Sequence, residues 1–148
     1  MQTAADAIKI RFCALGLGVM FLLIGLAGFV PSFVASPPDL SLVYAHGYLF
    51  GIFPTNHFHN AIHVLVGLWG IAAYTSLGGS ITFNKVFAVL YIGLAVLGLF
   101  PYTNTLFSTM PIYGNNVWFN LLTAVIAFYY GFVKSAPFES GIGRVNSI

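Results

Sequence analysis

Hydrophobic positions run in long blocks, and short breaks rich in polar residues, glycine and proline separate them. Charged side chains occur only at Asp6, Lys9, Arg11, Asp39, Lys85, Lys134, Glu139 and Arg144, so 12–38, 40–84 and 86–133 contain none. Such runs exceed the roughly 20 apolar residues that a bilayer-crossing helix needs. The breaks at Pro31, Gly78-Gly79-Ser80, Pro101 and Lys134 with Pro137 divide them into four predicted spans, about 12–30, 57–77, 86–100 and 117–133. Ser36-Pro37-Pro38-Asp39 reads as a helix start: serine at the N-cap, proline at the first helical position, an acid where the dipole favours one. The segment it opens, about 37–50, is too short to span. It is expected at the interface, with Leu40, Val43, Tyr44 and Gly47 on one face. The predicted fold is an all-α integral membrane domain filling 1–148: a four-transmembrane-helix bundle with an additional interfacial helix after the first span.

Composition agrees with that pattern. The chain is 59% hydrophobic and 5% charged, with mean hydropathy +0.92, about a fifth of the charge of a soluble domain. Lys9 and Arg11 precede span one, Lys85 lies between spans two and three, and Lys134 and Arg144 follow span four. Four crossings put all five basic residues on one side, which the positive-inside rule makes cytoplasmic together with both termini. Three or five crossings would scatter them. The start resembles a secretory signal, but the apolar run from Phe12 to Phe33 is longer than a signal core, so it is expected to remain as span one. A net charge of +2 offers no phosphate-binding stripe, and nucleic acid is not an expected partner. The single cysteine, Cys13, lies in an apolar span and reads as a packing residue.

Small and polar residues fall in stripes at helical spacing. In span two the stripe is Asn56, His59, Asn60, His63, Gly67, Gly70 and Tyr74, with Ile62, Leu65 and Trp69 pointing elsewhere. Span four offers Asn116, Asn120, Thr123, Ala127 and Gly131, and span one Ala14, Gly18, Gly25 and Gly28. Stripes of this kind are how membrane helices approach and hydrogen-bond one another, so Asn56, Asn60, Gly67, Gly70, Asn116 and Asn120 are assigned to helix packing. Ile24-Gly-Leu-Ala27 recurs as Ile92-Gly-Leu-Ala95, and the His59/His63 spacing recurs as Asn116/Asn120, a pattern consistent with a two-helix parallel repeat.

Candidate chemistry concentrates in the histidines. His59 and His63 lie one turn apart on one face, with His46 and His57 nearby. The spacing matches a zinc-protease helix, but Asn60 stands where the general-base glutamate belongs, which excludes that activity. Zinc or copper would need His46 or His57 as further ligands, and no metal site is expected. A single axial histidine suffices for chlorophyll, whereas two histidines one turn apart cannot sandwich one haem. The cofactor candidates are therefore His63, then His59, with His46 and His57 behind them, for chlorophyll or carotenoid before haem. The plainer reading makes these neutral imidazoles bonded to Asn60, Asn116, Asn120 or a tyrosine. It places His57 and His59 at the helix mouth near water, and only His63 well inside. No acid lies within a span to relay protons, and no serine or cysteine matches both a histidine and an acid, so neither transport nor nucleophilic catalysis is expected.

The run from Leu49 to Ala73, containing Asn56-His-Phe-His-Asn60-Ala-Ile-His63, together with Gly114-Asn-Asn-Val-Trp-Phe-Asn120, resembles an uncharacterised bacterial family of four-span membrane proteins. This domain of unknown function is found also in oxygenic phototrophs, and the resemblance covers about residues 10–134. It implies the four-span fold and assigns no activity. The expected role is an accessory or structural subunit, not an enzyme, of a larger membrane complex in a bacterial plasma membrane or a thylakoid. Its partners would be lipid and other integral membrane subunits, and a photosynthetic host with pigment on the span-two histidines is part of that expectation. The rival is a membrane oxidoreductase subunit holding haem or quinone near His46, His59 and His63.

Overall fold

The structure, a computed structural model, describes residues 2–36 and 47–145. The order is α1 (Gln2–Ala27), a 3-10 turn (Pro31–Phe33), β1 (Val34–Ala35), β2 (Gly47–Leu49), β3 (Phe53–Thr55), α2 (His57–Ala73), α3 (Leu77–Gly98), α4 (Asn115–Phe128) with a π-helical continuation (Tyr129–Val133), and α5 (Ala136–Val145). The chain is mostly helical. Ala4–Ala27, Leu77–Gly98 and Asn115–Gly141 are each long and apolar enough to cross a membrane. Leu65, Leu90, Leu122 and Val125 are more than half exposed. Outward-facing leucine and valine of this density are a liability in water and ordinary in lipid.

The helices pack as two close pairs, α1 with α2 and α3 with α4, and α1 also packs on α3. Glycine makes the first pair close. A Cβ on Gly18 would sit 2.6 Å from the Ile71 backbone nitrogen, one on Gly67 2.4 Å from that of Leu22, and one on Gly70 2.7 Å from the Gly18 Cα. Those contacts are backbone against backbone, so no side chain can yield. In the second pair, a Cβ on Gly131 would meet the Lys85 nitrogen at 2.8 Å, and the π-turn around Gly131 brings that close approach about. Between the pairs lies an aromatic core: Phe21 edge-on to Phe87 and Tyr91 at 5.1 Å each, with Phe87 stacked on Tyr91 at 4.0 Å. Asn84 Nδ2 crosses from α3 to donate to the Ile10 carbonyl at 3.1 Å.

The two ends of the bundle differ. At one, Arg11 Nε donates to the Tyr74 carbonyl at 2.8 Å, Lys134 pairs with Asp6 at 3.0 Å and Lys85 with Glu139 at 2.5 Å. Arg11 thus caps the C-terminus of α2, where the dipole favours a cation. At the other end no charged side chain is described. A three-stranded antiparallel sheet in the order β1-β2-β3, paired Val34 to Leu49 and Leu49 to Phe53, closes it instead. Pro54 is tolerated because β3 is an edge strand.

Several expectations need correction. The mostly helical fold carries a small sheet that the all-α reading did not include, and the predicted interfacial helix over about 37–50 ends in strand β2, because Gly47–Leu49 bond to strands on both sides; Pro37–His46 lie outside the described residues. The turn after span two falls at 74–76 rather than at Gly78-Gly79-Ser80: Ser76 Oγ accepts from Gly79 N at 3.0 Å and starts α3 there. An N-cap overrides two glycines that alone read as a break. Lys85 therefore sits inside α3, not in a loop, and reaches the charged end through Glu139. Pro137, expected to end span four, stands in the first turn of α5, where its missing N–H is harmless.

Candidate functional site

The site forms where the sheet closes the bundle. Asn56 N-caps α2, its Oδ1 accepting from His59 N at 2.8 Å, and its Nδ2 donates to the Thr109 carbonyl at 2.9 Å. Asn60, one turn on, accepts from Thr55 Oγ1 at 2.5 Å and donates to the Gly28 carbonyl at 2.7 Å, joining β3, α2 and the end of α1. On α4, Asn116 Nδ2 donates to the carbonyls of Pro54 at 2.8 Å and Pro111 at 3.0 Å, while Asn115 Nδ2 reaches that of Ile52 at 3.1 Å. Asn60, Asn115 and Asn116 thus staple the sheet and its turn to α2, α4 and the end of α1, and Asn56 ties the start of α2 to the α3/α4 loop. Each bonds backbone carbonyls or amides that a non-helical cap would otherwise leave unsatisfied. Asn120 is buried deeper on α4.

Beneath the sheet lies a cavity of about 60 Å³. Its polar lining is His59, His63, Thr55 and Asn116, and Ile24, Leu49, Phe53 and Phe119 supply apolar wall. His59 and His63 are 4% and 6% exposed, their rings 4.3 Å apart and tilted by 62°. His63 packs edge-on against Phe21 at 4.9 Å. His59 Nδ1 is buried without a hydrogen-bond partner. The Pro54 carbonyl, which accepts from Asn116, lies near that ring outside hydrogen-bond geometry for Nδ1. The expectation that His59 sits at a wet helix mouth is corrected: β3 and Leu49 cover it. Just above the helices, burial and the neighbouring Tyr48 raise the Tyr113 phenol above its ordinary pKa.

The structure separates the three described histidines into two places. His59 and His63 share the cavity. His57 is exposed on the far side of α2, stacked on Phe29 at 5.8 Å, and lines a different, open depression with Pro31, Ser36 and Asn56. His46 lies outside the described residues. Among the described residues no three His, Cys, Asp or Glu side chains cluster as a metal site. Thr55, Phe21 and Phe119 are site residues that sequence reasoning did not single out. Phe21 carried a usable signal, lying three and four residues from Gly18 and Gly25 at the rim of the span-one stripe.

Fold and site together define a helical protein with membrane-length apolar helices, closed at one end by charge pairs and at the other by an asparagine-stapled sheet. Residues 11–133 match the family described as Domain of unknown function (DUF4383), and the chain belongs to that family. No curated protein and no solved structure matches it.

Proposed function

We propose that the protein crosses the membrane four times with both termini in the cytoplasm and serves as an accessory, structural subunit of a larger membrane assembly rather than as an enzyme. The fourth crossing is α2. Its 17 residues measure about 25 Å, a little short of a hydrocarbon core of about 30 Å. It nevertheless runs from the sheet to Arg11, the full distance between the two ends of the bundle. The cytoplasmic assignment follows from the described cations: Lys9, Arg11, Lys85 and Lys134 all belong to the charged end.

The observation that carries the subunit role is the loop between α3 and α4. Leu106, Phe107 and Ser108 have φ of 42°, 55° and 69°, a left-handed run that L-residues adopt only against a cost of about 1–2 kcal/mol each. The run holds Phe107 73% exposed, while Tyr102 in the same loop is 94% exposed. Backbone strain retained to present aromatic side chains marks a contact surface. At headgroup depth beside the sheet, it suits a neighbouring membrane subunit. The membrane is a bacterial plasma membrane or a thylakoid, the latter following from the family resemblance alone. A pigment or haem on His59 or His63 has two imidazoles in its favour and a cavity of about 60 Å³ against it, since sites for such molecules begin near 300 Å³. The subunit role needs none.

Native electrophoresis after mild-detergent extraction tests this reading. The protein is expected to migrate with companions, and the double variant Tyr102→Ala, Phe107→Ala to release it without lowering its thermal stability. Migration as a lone chain in every mild detergent, unchanged by the double variant, would refute it.

A further inference from the structure

The cavity and the α1/α4 seam below it belong together. On α1, Ile24 lines the cavity, and Met20, Leu17 and Cys13 follow at three- and four-residue steps on the same face. On α4, Phe119 lines the cavity, and Ile126 and Tyr130 follow it at seven and eleven residues. Residues so spaced stack along one side of a helix. Both rows border an open groove of about 420 Å³, which also contains Gly16 and begins about 6 Å below the cavity on α1 and about 10 Å below it on α4. The two helices run in opposite directions, so both rows border the cavity at one end and the groove at the other. α1 and α4 make few contacts there, in contrast to the closed α1/α2 seam.

The polar head of this track is unusual for being unsatisfied. An unpartnered imidazole nitrogen in an apolar interior is destabilising, and such groups are normally met by water, an ion or a ligand. A divalent cation is a poor occupant, because two neutral imidazoles, with no carboxylate beside them among the described residues, leave its charge uncompensated in a low dielectric. A phospholipid head is too large and finds no described cation at that end. The space holds about two water volumes, enough for one small uncharged group and too little for a ring. A neutral imidazole offers one donor and one acceptor, and a hydroxyl presents the same pair.

We propose that the cavity and the α1/α4 groove form one binding site for a single-tailed, long-chain alcohol, its hydroxyl between His59 and His63 and its chain along Met20, Leu17 and Ile126. The site rests on the α1/α4 face meeting lipid, as four crossings place it, and is independent of the partner loop.

The test uses the full chain in nanodiscs and a diazirine-bearing hexadecanol. Photolabelling is expected on Met20 or Ile126, to be competed by hexadecanol and not by hexadecane or palmitate. His63→Leu is expected to weaken hexadecanol competition about tenfold, the equivalent of one hydrogen bond. Because that variant also disturbs a packed ring, Gly16→Leu provides a second arm: a Cβ there meets nothing within 4 Å, so the side chain fills the groove without touching the fold. It is expected to abolish labelling with unchanged thermal stability. Equal competition by hexadecane would reduce the groove to ordinary lipid contact and overturn the proposal, as would undiminished labelling of Gly16→Leu. Either result, obtained while residues 78 and 102 label from opposite sides of the membrane, overturns the site and leaves the four crossings standing.

Discussion

α1 presents glycine on two faces and treats it oppositely. Gly18, Gly25 and Gly28 are buried against α2, with backbone or Asn60 atoms closer than 3 Å to any added Cβ. Gly16, two residues before Gly18, faces open space. The open face carries this one glycine against three on the closed face, and a lone glycine does not close a seam. The facing helix decides: α2 answers with Gly67, Gly70 and a straight Asn60, whereas α4 answers with Phe119, Ile126 and Tyr130, which hold α1 off. Helices in lipid are drawn together by packing and hydrogen bonds and not by water exclusion. A face that cannot reach its neighbour's backbone therefore stays open.

Substitutions sharpen that contrast in graded fashion. Gly18→Leu drives a side chain into the backbone of Ile71 and Gly70, and is expected to cost about 3 kcal/mol or more in a bicelle unfolding titration. A cost under 1 kcal/mol would mean that the closed seam is not closed. Asn60→Ala leaves the Thr55 hydroxyl and the Gly28 carbonyl without their partner, an expected loss of about 1–3 kcal/mol by the same titration, with faster amide exchange through β3. Arg11→Gln removes the cation from the α2 C-terminus. The expected loss is about 0.3–1 kcal/mol, shrinking as salt is added. Gly16→Leu on the open face should change stability by less than about 0.5 kcal/mol; a large loss would show that α1 and α4 close on each other in the bilayer.

The closed face was legible from sequence because helical periodicity alone selects it: His59, Asn60, His63, Gly67 and Gly70 are the buried residues of α2 together with Ala73, and Leu65 and Trp69 point out as expected. Ala14, Gly18, Gly25 and Gly28, and Asn116, Asn120, Thr123, Ala127 and Gly131, are likewise buried. The sheet was not legible. Its strands are two or three residues long, β3 contains a proline, and the asparagines that hold its last strand and turn from α4 are distant in sequence. The same long-range closure buries His59, which local position alone places at a wet helix mouth. The start of α3 failed for a local reason: the span predicted over about 57–77 takes in Ser76, which is the cap that starts the next helix.

The account stands on α2 traversing the whole bilayer, and impermeant thiol labelling of intact cells in a Cys13→Ser background measures this directly. Single cysteines at Gly78 and Gly141 should stay unlabelled until the membrane is opened, while one at Tyr102 should label at once. Labelling of Gly78 and Tyr102 from the same side would contradict the arrangement.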